Sequence, residues 1–241
     1  MPVTGAQSPY RNEILAALPP AELELLLPLL TRVEWENGEP LLDPEQPIEH
    51  IYFVERGFAS MVAEAGGAVE VGLAGRETII GFAALFDPGA ISFNRVFIQT
   101  PGGGFRVPAS IMREKLHAMP TLLVLIFRSL QVQMALTAQT AACNVQHGLP
   151  ERLARWLLLA HDRTEGNELY LTQTFLAVML AVRRSGVTKA AAALRRDGLI
   201  ESGRGHIRII NRPGLERTAC DCYQRVRDFA ALMSRTVHED T

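Results

Sequence analysis

The stretch LTQTFLAVMLAVRRSGVTKAAAALRRDGLIESGRGHIRII, residues 171–210, decides the fold. Thr172 is a good N-cap, and the apolar positions Phe175, Leu176, Val178, Met179 and Leu180 suit one short helix. Ala181-Val182-Arg183 is a compact connection. A second helix is expected from Arg184 to about Arg196, closed by Gly198 just past its end. Val187, Ala190, Ala191 and Leu194 fall on one face of it and Arg184, Ser185, Thr188, Lys189 and Ala192 on the opposite face. The first face is a core face. The second presents cations, hydroxyls and a small methyl, groups that can meet phosphates, guanine edges and thymine methyls. Beyond Leu199-Ile200, two extended arms flank Gly203-Arg204-Gly205, which predicts a hairpin wing that also carries His206.

Charge supports this reading. Residues 183–212 hold eight basic residues (Arg183, Arg184, Lys189, Arg195, Arg196, Arg204, Arg208 and Arg212) against Asp197 and Glu201. Over the whole chain, residues 1–120 carry 8 basic and 15 acidic groups, whereas residues 121–241 carry 16 and 11. A sign change between halves suits a second half that meets a polyanion.

Upstream, residues 13–30 read as two short helices separated at Pro19-Pro20. From Val33 to Val107 short apolar or alternating runs are cut by Gly, Pro and Asp turns, which predicts an antiparallel all-β barrel or jelly roll. Pro120 opens a segment without Gly or Pro up to about Gln146. Within it Leu123, Phe127, Leu130, Met134, Thr137, Ala141 and Asn144 follow alternating steps of four and three, a heptad seam. A second stripe, Leu122, Leu125, Ile126 and Leu136, lies on another face. Two apolar faces call for two partners, the β-domain and a helix of a second copy, the alternative being that both stripes are internal core. Gly148-Leu149-Pro150 breaks the segment, and a further helix is expected to about Asp162. The expected fold class is therefore α+β, in three parts. These are an N-terminal antiparallel β-roll (13–119), a long dimerisation helix (120–147) and a C-terminal winged helix-turn-helix (148–233).

Leu171 to Ile200, ending Leu194-Arg195-Arg196-Asp197-Gly198-Leu199-Ile200, resembles the helix-turn-helix of the Crp/Fnr transcription regulators. Ile51-Tyr52-Phe53 with Gly57, and Gly72 through Ile80-Gly81-Phe82, resemble their cyclic-nucleotide-type β-roll. The resemblance implies a sequence-specific regulator that senses an effector with its N-terminal half. It also implies double-stranded DNA with a palindromic operator, a second copy of the chain, RNA polymerase and a small-molecule effector as partners. The family's recognition-helix pattern falls on Arg184, Ser185 and Lys189. Arg184 matches it as a guanine contact. Ser185 replaces the usual Glu, and Lys189 keeps a cation without the planar fork. Arg183 stands where a capping Ser is common, so the helix start is expected to be poorly capped.

Members that bind cyclic AMP carry Gly-Glu and later Arg-Ser or Arg-Thr. Here Gly81 is followed by Phe82, and Arg95 by Val96, so cyclic AMP is not the expected ligand. Gly81, Phe82, Phe93 and Arg95 mark the expected effector pocket, the two phenylalanines suggesting an apolar interior and Arg95 an anion anchor. The family's iron–sulfur branch uses N-terminal cysteines, and none precedes Cys143. Cys143 and His147 stand at i, i+4, while Cys220-Asp221-Cys222 has one intervening residue where a usual metal knuckle has two. No metal and no cofactor are expected. Nor is an enzyme, since no nucleophile elbow, phosphate loop or paired carboxylates appear. The longest oily run, Thr121–Leu130, is interrupted by Arg128, and residues 1–12 do not read as a signal peptide, so a cytoplasmic, non-membrane protein is expected. The remaining alternative is a helix-turn-helix that contacts protein, which low salt sensitivity of partner binding would reveal.

Overall fold

A computed structural model describes residues 8–64, 66–203 and 205–235. The chain starts with two short helices, α1 (Glu13–Ala17) and α2 (Pro20–Leu26), divided at Pro19-Pro20 as the sequence predicts. Asn12 caps α1 by accepting from the amides of Ile14 and Leu15, and its own amide group donates to Val54 and Thr78 carbonyls.

The strands β1 (Thr31–Trp35), β2 (Pro40–Leu42), β3 (His50–Glu64), β4 (Ala68–Ala74), β5 (Ile79–Ile80) and β6 (Arg95–Pro108) form one antiparallel sheet in the order β1-β6-β3-β4. In it β2 also pairs β6 and β5 pairs β3. The long pair β3 and β6 slips register three times between Val54 and Ala59, which lets two strands of 15 and 14 residues curl instead of lying flat. Glycine permits the slip. Gly57 takes a φ of +75°, and a Cβ on Gly102 would stand 2.0 Å from the Arg56 carbonyl oxygen. Trp35, Leu41, Val54, Ala59, Ala74, Ile80, Val96 and Ile98 fill the interior of the roll.

After α3 (Ala109–Lys115) comes α4 (Pro120–Gln146), 27 residues long. Leu122, Leu125 and Ile126 are buried in a core shared with α1, α2 and the roll, and Leu136 is buried in a second core shared with the C-terminal half. By length and a mean hydropathy of 1.5, this one helix could also cross a membrane, which the interrupted oily run does not suggest. Its inward stripe, however, is committed to the chain's own cores. The opposite face is largely bare: Val124, Phe127, Gln131, Met134, Ala138, Ala141 and Val145 are all exposed, at steps of three and four, with Phe127 stacked on Phe86.

The C-terminal half contains α5 (Leu149–His161), β7 (Glu168–Leu169), α6 (Gln173–Met179), α7 (Arg184–Arg196), β8 (Ile200–Ser202), β9 (Ile207–Ile209), α8 (Arg212–Thr218) and α9 (Cys222–Arg235). Its three strands pair in the order β7-β9-β8. The mixture of an antiparallel roll, long helices and a small helical domain is the α+β class expected. The core of this half does not stop at its edge. Phe58, Val62 and Leu73 of the roll join Leu153, Trp156, Leu157, Leu176, Val187 and Leu194 in one apolar cluster.

Candidate nucleic-acid interface

Helices α6 and α7 are joined by the tight turn Leu180–Arg183, in which Ala181 takes a left-handed φ of +52°. For a residue with a Cβ this conformation is strained. The turn is braced from behind, where Arg152 of α5 donates to the Leu180 carbonyl. Thr172 caps α6 by accepting from the Phe175 amide, as its position predicts. Arg183 starts α7 with no side-chain cap, again as expected.

Val187, Ala190, Ala191 and Leu194 are buried, and Arg183, Arg184, Ser185, Thr188 and Lys189 are exposed. The two faces of α7 therefore lie where the sequence places them. Thr188 is less free than it looks. Its hydroxyl lies 2.8 Å from Gln173 Oε1 and 3.0 Å from the Arg184 carbonyl, tying the start of α6 to the reading face. Gln173 is a residue that sequence reasoning passed over. Its place directly after the Thr172 N-cap was the available signal.

The basic cluster divides once partners are visible. Arg208 is paired with Glu168 and Glu201, and Arg212 with Asp162 and Glu216. Arg212 also donates to the hydroxyl of Tyr223, which burial and the nearby Asp162 push up to about 12. These two arginines build the domain. Arg183, Arg184, Lys189 and Arg195, by contrast, face solvent with no carboxylate partner among the described residues. His206 is half-buried in the turn of the wing, its carbonyl accepting from the Gly203 amide. Arg204 lies outside the described residues.

Residues 151–218 match the Crp-like helix-turn-helix domain. No curated protein matches the sequence. Over 78–79% of the chain the fold is similar to that of regulators of known structure. TTHB099, a transcriptional regulator of the CRP family from Thermus thermophilus, is 22% identical with a TM-score of 0.62 over 78% of this chain and 96% of that one. FixK2 from Bradyrhizobium japonicum is 15% identical with a TM-score of 0.66, over 79% and 98%. The c-di-GMP-responsive global regulator CLP of Xanthomonas campestris is 18% identical with a TM-score of 0.62, over 78% and 97%.

The roll holds a cavity of about 250 Å³ between the sheet and α4. Gly81 and Phe82 line it together with Ile80, Ala83, Leu130 and Gln133. Gly81 has a φ of +88°, and a Cβ there would stand 2.4 Å from the His50 carbonyl oxygen, so the turn into the cavity wall needs glycine. Phe93 lines the cavity as well, and one of the expected pocket residues, Arg95, is placed differently. Phe93 is 86% exposed and lies at the cavity's rim without filling its interior. Arg95 is exposed on the outside of β6, paired with Asp43 at 3.2 Å, because the strand's alternation turns it away while Val96 points in. No charged residue lines the cavity among the described residues, but Asn94 Oδ1 and Gln133 Nε2, both in its wall, are buried without hydrogen-bond partners.

Roll and DNA-type domain meet at Glu70. This β4 carboxyl accepts from Ser60 Oγ at 2.8 Å and from the indole N–H of Trp156 on α5. Burial pushes it up from the ordinary carboxylate range to about 7, against the two hydrogen bonds.

The expected dimer seam is exposed only in part. Phe127, Met134, Thr137 and Ala141 are exposed, but Leu123 and Asn144 are half-buried and Leu130 packs on the roll and lines its cavity. The roll claims Leu130, so the bare line passes instead through Val124, Gln131, Ala138 and Val145.

Proposed function

We propose that this chain is a cytoplasmic, DNA-binding transcription regulator that acts as a dimer through binding, without catalysis of its own. The observation that carries the reading is the unpaired cationic face of α7, mounted on a helix-turn-helix that matches the Crp-like domain. Arg184 stands at the first position of α7, where its fork can reach guanine O6 and N7. Ser185, Thr188 and Lys189 tune neighbouring positions, and Arg183, Arg204 and His206 serve the backbone. A second copy docks along the bare α4 face, setting two reading helices about 34 Å apart on a palindromic operator. RNA polymerase is the partner through which such a regulator acts.

The cavity of the roll is the effector site in this reading. A chargeless wall gives the phosphate of cyclic AMP no partner, which supports a neutral, largely apolar ligand that meets Asn94 and Gln133. Glu70 and Trp156 would carry the effect to the reading head.

Salt dependence tests the reading. Binding of the full-length protein to enriched duplex DNA should weaken steeply between 50 and 200 mM salt, as expected when several phosphates are neutralised, roughly 10³-fold or more for six contacts. Salt-independent binding, or a protein partner held by α7 in place of DNA, would overturn it.

A further inference from the structure

Cys143 and His147 stand one turn apart at the end of α4, and Cys220 and Cys222 flank Asp221 between α8 and α9. The fold brings the two pairs together across the Gly148 break that separates the long helix from the DNA-type domain. The Sγ atoms of Cys143 and Cys220 lie 3.4 Å apart, and Cys222 Sγ lies 3.5 Å from His147 Nδ1. All four donor atoms fall within 4.8 Å of one another.

Ordinary packing does not account for this grouping. Buried thiols usually join apolar side chains, whereas these three form a buried cluster of their own, apart from the chain's three apolar cores. They are free thiols, and the 3.4 Å between Cys143 and Cys220 is not the roughly 2.05 Å of a disulfide. A tetrahedral ion with metal–sulfur bonds near 2.3 Å and metal–nitrogen bonds near 2.0–2.1 Å sets neighbouring donors about 3.6–3.8 Å apart, close to the two contacts observed. An iron–sulfur cluster, with several irons and sulfides between the thiolates, would need them farther apart.

The surroundings complete the site. Gln139, one turn before Cys143, donates to Cys222 Sγ at 3.0 Å. Arg155, only 4% exposed, donates to Thr140 on the same stretch of α4 and brings positive charge towards Cys143. Three thiolates and a neutral imidazole around a dication carry a net charge of −1, which a buried guanidinium offsets.

We propose that Cys143, His147, Cys220 and Cys222 are the four ligands of a single structural, zinc-class divalent cation that clamps the end of α4 to the start of α9. On binding, three S–H protons leave to solvent as three metal–sulfur bonds form, with no change of oxidation state. All four positions are taken by protein, so the ion has no open site for catalysis. Its work is mechanical. It fixes the DNA-type domain to the long helix beside the break, whether or not α7 reads DNA as proposed above.

The test uses the full-length protein, purified under reducing conditions and analysed for metal, then stripped with a chelator and titrated with Co²⁺. One ion per protomer is expected, with the sulfur-to-cobalt charge-transfer bands and intense d–d bands of a tetrahedral thiolate-rich site, displaced by Zn²⁺. Cys143→Ser and Cys222→Ser should each weaken binding by more than the roughly 10–100-fold that loss of an outer hydrogen bond costs. His147→Gln, at a half-buried position that leaves the fold intact by circular dichroism, should weaken cobalt binding while keeping the charge-transfer bands. A folded protein with three reactive thiols that takes up no Co²⁺ overturns the proposal. So does a Cys143–Cys220 disulfide in the freshly isolated protein, or cobalt binding that none of the three variants changes.

Discussion

The helix-turn-helix and the roll teach opposite lessons about where a candidate site resides in a sequence. Residues 171–210 hold the whole reading element in 40 consecutive positions, and each part is set by local chemistry: an N-cap at Thr172, an apolar face on α7 and a glycine stop at Gly198. The cavity of the roll is assembled from Leu42, Ile80, Gly81, Phe82, Asn94, Leu130 and Gln133, which only the register of β3 and β6 and the docking of α4 bring together. The first site is contiguous in sequence. The second is coupled to everything that packs on it.

The bare face of α4 belongs to both regions, and disrupting it should have the largest effect. Met134 is 71% exposed and belongs to none of the apolar cores, so Met134→Glu should leave the protomer folded while placing two like charges across the proposed seam. Sedimentation should show monomers, and operator binding should be lost. Dimers that persist would place the interface elsewhere. Leu130→Glu is the less clean change, because Leu130 also lines the cavity.

A smaller effect should sharpen the difference between the regions. Cyclic AMP should neither bind in the low micromolar range by calorimetry nor alter DNA affinity, since the cavity wall lacks a charge for its phosphate. Tight binding would mean that the roll rearranges to bring a cation inward.

The junction of the two regions should respond to pH. Between about pH 4.5 and 7 the folded chain keeps a proton on Glu70 that the unfolded chain has released, so this carboxyl makes stability fall as pH rises across that window and level off above it. Glu70→Gln keeps the contacts to Ser60 and Trp156 and removes the titration. Thermal unfolding of this variant should lack that slope and should exceed the parent's above pH 7. An unchanged pH profile would show that Glu70 is ionised throughout.

The smallest effect lies in the helix-turn-helix itself. Ala181→Gly should relieve the left-handed strain in the turn and stabilise by up to about 1 kcal/mol, read as a rise in melting temperature with DNA affinity intact.

What was legible follows the same division. The two faces of α7, the split at Pro19-Pro20 and the inward stripe of α4 could be read from residue types and their spacing, and the uncapped Arg183 from the family resemblance. The outward stripe could not be placed to the residue. A heptad line and a 3.6-residue line drift apart along 27 residues, and packing on the roll, invisible in the sequence, claims Leu130. Arg95 was misjudged because a one-residue step along β6 exchanges inside for outside. Arg208 and Arg212 counted towards a basic footprint until Glu168, Glu201, Asp162 and Glu216 appeared beside them. The two cysteine-bearing pairs, 77 residues apart between Cys143 and Cys220, read as unrelated until the fold joined them.

The central claim, that α7 reads base edges in duplex DNA, is tested most directly by selecting binding sites from random duplexes with the parent protein and with Arg184→Ala in parallel. The parent should enrich an inverted repeat with half-site centres about one helical turn apart. Arg184→Ala should lose about 1–3 kcal/mol and relax the preference at one base pair of each half-site, while Arg204→Ala should lower affinity and leave the preferred sequence unchanged. An Arg184→Ala protein that keeps both the affinity and the preference of the parent would contradict the account.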